Sequence, residues 1–267
     1  MMFAAIETLL APAGWPTLVL VSARVGGMFF TAPLWTLASI PGRLRAAMAL
    51  VLSAGIAAGM PPEAGAVTTG GFAVAAAVET LIGVIIGLSA AVLLHGVAVA
   101  AEVVALQMGL SLGASFSPSI EITVPGIGEI KGLLVLALYT ALDGHLALVR
   151  GLGASMQILP PAAPLDAAAG LAAALEFTGQ VFSVAIQAAA PLIVALSVTH
   201  AALAILNRAV PQLNTLMVSV PITVAVGLLL LGASLPVTTG FVTDWVLGLE
   251  SRVEGLLTEF TITPVQR

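Results

Sequence analysis

The strongest constraint on this chain is a short polar knot set between two long charge-free runs. The knot reads Asn207-Arg208-Ala209-Val210-Pro211-Gln212-Leu213-Asn214. Phe177 to Leu206 contains no Asp, Glu, Lys or Arg, and neither does Ala209 to Thr243. Crossing a hydrocarbon core takes about 20 apolar residues as helix. Each run is long enough to do so. The pattern predicts a helical hairpin on the scale of a membrane, with a guanidinium, side-chain amides and a proline at its tip.

Composition narrows the class. The chain has 267 residues, of which 60% are hydrophobic and only 8% charged. A soluble domain carries about 25% charged residues, so this sequence cannot clothe a water-facing surface. No run alternates with period two, which argues against a β-barrel. The expected fold is an all-α integral membrane-type protein. The net charge of −5 includes no basic patch, so nucleic acid is not an expected partner. The absence of cysteine excludes disulfides and thiolate metal sites. Met1 to Glu7 carries no positive n-region and no cleavage site, so a removable signal peptide is not expected.

Six hydrophobic helices are predicted in hairpins, at about 15–35, 44–60, 72–106, 131–152, 175–206 and 213–235. Gly83 and Gly87 in the third form a small-xxx-small pair suited to close helix approach. Pro191 and Pro221 lie inside the fifth and sixth, where a missing N–H kinks a helix. A last helix, about 244–260, is amphipathic. Trp245, Leu249, Val253, Leu256 and Phe260 form one stripe, and Asp244, Ser251, Glu254 and Thr258 face away. It is expected to lie on an interface or a partner. Arg43, Arg45, Lys131 and Arg208 all fall in odd-numbered links. The excess of basic residues on cytoplasmic loops then places the Arg208 tip in the cytoplasm and both termini outside.

After the third helix comes Gln107-Met108-Gly109-Leu110-Ser111-Leu112-Gly113-Ala114-Ser115-Phe116-Ser117-Pro118, continuing to Pro125-Gly126-Ile127-Gly128. Glycine and serine at this density do not hold a helix, yet the segment stays apolar. Irregular backbone at membrane depth is tolerated only when buried in protein or lining a water-filled path. A flexible, Met-containing segment there suits a soft gasket.

A few polar residues sit inside helices. Arg24 lies mid-way along the first, where an unpaired charge is costly in lipid. It reads as a pairing residue, to Glu102, Asp143 or a neighbouring subunit's carboxylate, or alternatively as a snorkelling arginine. Asp143 and His145 flank Gly144 as a notch in the fourth helix, open to a proton-relay or an inter-subunit hydrogen-bond reading. Glu102 and Gln107 read either as a transporter's carboxylate site or as hydrogen-bonding anchors for the following loop. His95 and His200 lie on distant helices, so no metal site is expected. There is no Ser-His-Asp order and no phosphate loop, so neither an enzyme nor a cofactor is expected.

At these positions the chain resembles the FliR family of flagellar export-gate proteins, which is related to the SctT subunit of virulence type III secretion. The likeness rests on residues 106–111, on Gly144-His145 and on the 207–214 knot, in that order. Arg24, Ala32-Pro33 and Ile40-Pro41-Gly42-Arg43 match the family's N-terminal pattern. The resemblance covers essentially the whole chain, 1–267, as a single export-gate domain. It implies a pore shared with FliP and FliQ homologues, with FlhB and FlhA homologues associated. Residues about 1–170 would be a FliP-like part, and about 171–267 a FliQ-like hairpin with the C-terminal helix. It further implies unfolded flagellar export substrates, contact with membrane lipid, and a place in the bacterial inner membrane at the flagellar basal body. The 106–128 loop is similar to the family's plug, with Gln107, Met108, Gly109, Leu110, Ser111, Leu112, Gly113, Ser115, Phe116 and Pro118 as its pore residues. Asn207, Arg208, Pro211, Gln212 and Asn214 are similar to the polar tips that face the entrance. Two departures stand out. Ser117 precedes Pro118 where the family often has Asp, and Ser115 occupies a plug phenylalanine position. The rival reading is a stand-alone proton-coupled secondary transporter, against which stands the lack of a visible inverted repeat.

Overall fold

The computed structural model describes residues 15–37, 39–61, 71–109, 126–210 and 215–261. Within them lie α1 (Trp15–Thr31), α2 (Gly42–Ala57), α3 (Phe72–Gln107), α4 (Ile127–Ala141), α5 (Gly144–Ile158), α6 (Ala167–Ala209), α7 (Thr215–Ala233), α8 (Leu235–Leu247) and α9 (Leu249–Thr258). No strand occurs among the described residues, apart from an isolated bridge pairing Leu165 with Thr261. The all-α, membrane-type expectation therefore holds.

The helix count rises because two expected helices, the fourth and the amphipathic one, are interrupted, and because α8 follows directly on the sixth. The fourth breaks at Asp143, whose φ of 58° is left-handed. The break leaves α4 and α5 at 63° to each other. The chain bends by 42° between α7 and α8. Pro236 explains that bend, because it has no N–H to offer the carbonyl of Gly232. By contrast, α6 and α7 run on through Pro191 and Pro221 as single helices. The amphipathic helix begins as the end of α8 and restarts after Gly248 as α9.

Two described helices are long and apolar enough to cross a membrane alone, and four are if each bent pair acts as one span. The longest, α6, has 43 residues. Asp166 starts it by capping: its Oδ1 accepts the Ala168 and Ala169 amides at 3.1 and 3.0 Å.

Packing divides the chain into two compact units. The first contains α1, α2, α3 as far as Ala91, the stretch Tyr139–Thr178, and the chain from Trp245 onward. Here α1 crosses α3 with backbones nearly touching. A Cβ on Gly27 would strike the Thr80 carbonyl, one on Gly83 the Arg24 carbonyl, and one on Gly87 the Thr31 hydroxyl. The spacing of Gly83 and Gly87 anticipated this approach. The Thr31 hydroxyl adds an interhelical bond to the Val84 carbonyl at 3.0 Å.

Also in the first unit, α9 lies along α5. A Cβ on Gly151 would meet the Val253 side chain at 3.3 Å. The amphipathic stripe is thus satisfied within this chain rather than by an outside surface. Its members are Trp245, Leu249, Val253, Leu257 and Phe260, all 5% exposed or less. Within α9 the buried face follows i, i+4 spacing from Leu249 and Val253 to Leu257, and the expected Leu256 is only partly buried.

The second unit contains Val92–Leu138 and Gly179–Asp244 as far as they are described. Its core gathers Val104, Met108, Leu192, Leu196 and Leu231. These units follow packing. They are drawn independently of the FliP-like and FliQ-like parts expected from the resemblance, which meet near residue 170.

Candidate functional site

Two polar arrangements are built into the apolar interior, one in each unit. In the first unit, Arg24 is fully buried. Its Nε donates to Glu79 Oε2 at 2.6 Å. One terminal nitrogen donates to the Ser155 carbonyl and hydroxyl at 3.0 and 3.1 Å, and the other to the Leu159 carbonyl at 2.9 Å. Glu79 is itself 3% exposed, and its Oε1 accepts the Ala162 amide at 3.1 Å. Ala162 has a φ of 62°. One cation thus ties α1 to α3, satisfies two carbonyls at the end of α5, and leaves its carboxylate partner to hold the following turn. Planar guanidinium geometry suits this, because its donors fan out in fixed directions.

This corrects the pairing expected for Arg24. Its partner is Glu79, not Glu102 or Asp143. Asp143 is exposed at the α4–α5 break and its side chain makes no capping bond. His145, half-buried in the first turn of α5, has a buried Nδ1 without a hydrogen-bond partner among the described residues. Gly144 packs against the Tyr139 ring, where a Cβ would collide.

In the second unit, the structure brings together the two ends of the 110–125 segment. Met108 follows the last residue of α3 and is 0% exposed. Its amide still bonds the Val104 carbonyl at 3.0 Å. Gly109, with φ of 77°, turns the chain out of the helix. The Thr223 hydroxyl of α7 has one proton and three carbonyls in reach: Ser219 at 3.0 Å, Val220 at 3.1 Å and Met108 at 3.3 Å.

At the other end, Glu102 of α3 is exposed and overlies the start of α4. A Cβ on Gly128 would sit 2.9 Å from Glu102 Oε2. A carboxylate at a helix N-terminus is favoured by the helix dipole. Neither Glu102 nor Gln107 makes the expected anchoring hydrogen bond among the described residues. Lys131 of α4 is 8% exposed. Its Nζ donates to Ser234 Oγ at 2.9 Å and Thr238 Oγ1 at 3.2 Å. Those hydroxyls donate onward to the carbonyls of Leu231 and Ser234 at 2.7 and 3.0 Å. Among the described residues no carboxylate lies within ion-pair distance of Lys131. Lys131 had been read only as a charge marking a loop, and nothing in the sequence paired it with two hydroxyls a hundred residues away.

The comparisons with known proteins agree on one family. Residues 15–248 match the bacterial export proteins, family 1. The flagellar biosynthetic protein FliR of Escherichia coli K12 is 33% identical over 230 residues, covering 85% of each chain. The chain belongs to the FliR family of bacterial export proteins. FliR of Caulobacter vibrioides is 33% identical over 220 residues, or 81% of this chain and 87% of that one. FliR of Aquifex aeolicus is 30% identical over 226 residues, or 84% and 86%.

Of the positions by which the FliR resemblance was read, the structure describes some. Gln107, Met108 and Gly109 sit at the root of the loop. Leu110, Ser111, Leu112, Gly113, Ser115, Phe116 and Pro118 lie outside the described residues. Asn207 and Arg208 occupy the last turn of α6, with Arg208 exposed where the helix dipole favours a cation. Pro211, Gln212 and Asn214 lie outside the described residues. Among the described residues there is no cluster of three metal-ligating side chains.

Proposed function

We propose that this chain, a membrane-embedded component of flagellar protein export, is a non-enzymatic subunit completing a pore built with FliP and FliQ homologues. FlhB and FlhA homologues join that complex in the inner membrane, at the flagellar basal body. Residues about 1–170 serve as its FliP-like part and about 171–267 as its FliQ-like part. The 106–128 loop is the seal, and unfolded flagellar substrates enter from the cytoplasmic Arg208 tip and displace it. The barrier to ions is apolar contact and dewetting, not charge.

The observation that carries the shared-pore reading is the length of α6. Leu171, Leu175, Phe182, Ile186, Val194, Val198 and Ile205 are each more than half exposed along it. From Leu171 to Ile205 that stripe runs about 50 Å at 1.5 Å per residue. A hydrocarbon core is about 30 Å thick. Sinking the whole stripe in lipid requires a tilt above about 50°, beyond the roughly 0–40° range of membrane helices. Apolar protein neighbours cover the remainder, which favours an assembled conduit over a solitary transporter.

Two experiments test this. Purified in mild detergent, the chain is expected to arrive with several other gene products; a homogeneous, stable, single-component preparation would instead support the transporter. Deleting Gly109–Ser117 is expected to leave the complex assembled and make it leak ions in bilayer recordings. Unchanged conductance refutes the seal.

A further inference from the structure

The root of the loop depends on a residue far from it in sequence. We propose that Gly227 of α7 is a socket that seats Met108 and so fixes where the 110–125 segment starts, an inference that rests on reading that segment as the seal.

The socket is visible in the packing. A Cβ placed on Gly227 would lie 2.5 Å from Met108 Sδ and 2.8 Å from its Cε. No side chain fits at 227 unless the methionine withdraws. The rest of the seat is formed by Val104, Leu192, Leu196 and Leu231, and it closes over Met108 completely. Thr223 lies one turn earlier on the same face of α7 and faces the Met108 carbonyl. Glycine within a helix costs about 1 kcal/mol relative to alanine, and here the missing side chain is what leaves room for Met108.

The direction of the following chain is then set within two residues. Met108 still carries an α-helical hydrogen bond, and Gly109 turns away with positive φ. Seating Met108 fixes the position of that turn. Unseating it lets the last turn of α3 fray and releases the loop from its origin. Gly227 acts through Met108 and is a positioning residue.

The test uses the assembled complex. Gly227→Leu fills the socket, and Gly227→Ala is the milder form if the leucine variant fails to assemble. Two readouts are taken: ion conductance in planar bilayers, and hydrogen exchange of the Met108 and Gly109 amides. The filled socket is expected to raise both about tenfold, equivalent to about 1.4 kcal/mol. Adding Met108→Ala to Gly227→Leu exchanges knob for socket and is expected to return both toward wild type. Wild-type values in the filled-socket variants, or a double variant no better than Gly227→Leu alone, would overturn the proposal. The Gly109–Ser117 deletion separates the two ideas. A leaking deletion beside a silent Gly227→Leu removes the socket and keeps the seal. Exchange that rises and is rescued while neither variant nor deletion leaks keeps the socket and removes the seal.

Discussion

The interiors of the two units are stabilised by opposite means. In the first, Arg24 and Glu79 neutralise each other and between them bind Ser155, Leu159 and Ala162. In the second, among the described residues, Lys131 has only the hydroxyls of Ser234 and Thr238. The close approaches differ in the same way. At Gly83 the obstacle is the backbone of α1, whereas at Gly227 it is the Met108 side chain from Cγ outward. Backbone cannot give way, but an unbranched thioether can swing. The α1–α3 approach is therefore set by backbone, and the approach beside Met108 by a side chain.

Breaking the staple is expected to have the largest effect. Arg24→Ala or Glu79→Ala leaves one charge buried without its partner, a loss of about 3–5 kcal/mol. Thermal unfolding of the purified complex would read it. Replacing both at once, with Arg24→Met and Glu79→Leu, removes the unpaired charge but leaves the Leu159 carbonyl and the Ala162 amide without these partners, so it is expected to recover only part of that loss. The charge swap Arg24→Glu with Glu79→Arg is not expected to rescue. The carbonyls of Ser155 and Leu159 need donors, and a carboxylate has none to give.

A smaller effect is expected at the helix crossing. Gly83→Val forces a side chain into the α1 backbone and costs about 1–3 kcal/mol, again seen as a lowered melting temperature. The matching change in the second unit, Gly227→Ala, is expected to cost about 1 kcal/mol or less in stability, because Met108 can move. Its signature is ionic leak rather than unfolding. A Gly227→Ala melting loss as large as that of Gly83→Val would erase the contrast between the units.

Lys131→Met is expected to change stability least, by about 1 kcal/mol or less. It removes a buried cation that has no anion among the described residues, and a hydrophobe of similar volume is often neutral there. The two hydroxyls keep their bonds to helix carbonyls. A loss approaching that of Arg24→Ala would mean that the second unit is also held by charge.

Much of this was legible in the sequence because hydropathy and charge act locally. The scarcity of charged residues gave the membrane class, and Arg24 stood out because a lone guanidinium amid apolar residues demands partners. Glu79 was passed over. It sits in a turn of α3 that looked like an ordinary helix start, and only the crossing at Gly83 brings it to Arg24. The break at Asp143 was hidden for another reason. Asp143-Gly144-His145 showed as a polar notch, but hydropathy does not reveal a left-handed backbone turn. Pro236 was overlooked beside Pro191 and Pro221, although it marks the bend. The seat of Met108 could not be read at all, since Gly227 is one glycine among 27. Packing complementarity between distant helices leaves no periodic trace.

The reach of α6 has a consequence for the life of the newly made chain. A rod about twice as long as the bilayer's oily layer is thick has no place to shelter all its grease before companions arrive. Synthesised alone, it holds part of that surface against water, the condition that quality-control proteases recognise. Its abundance in the cell is therefore expected to follow the supply of its neighbours, and pulse-chase turnover with and without them would show whether an orphan copy survives.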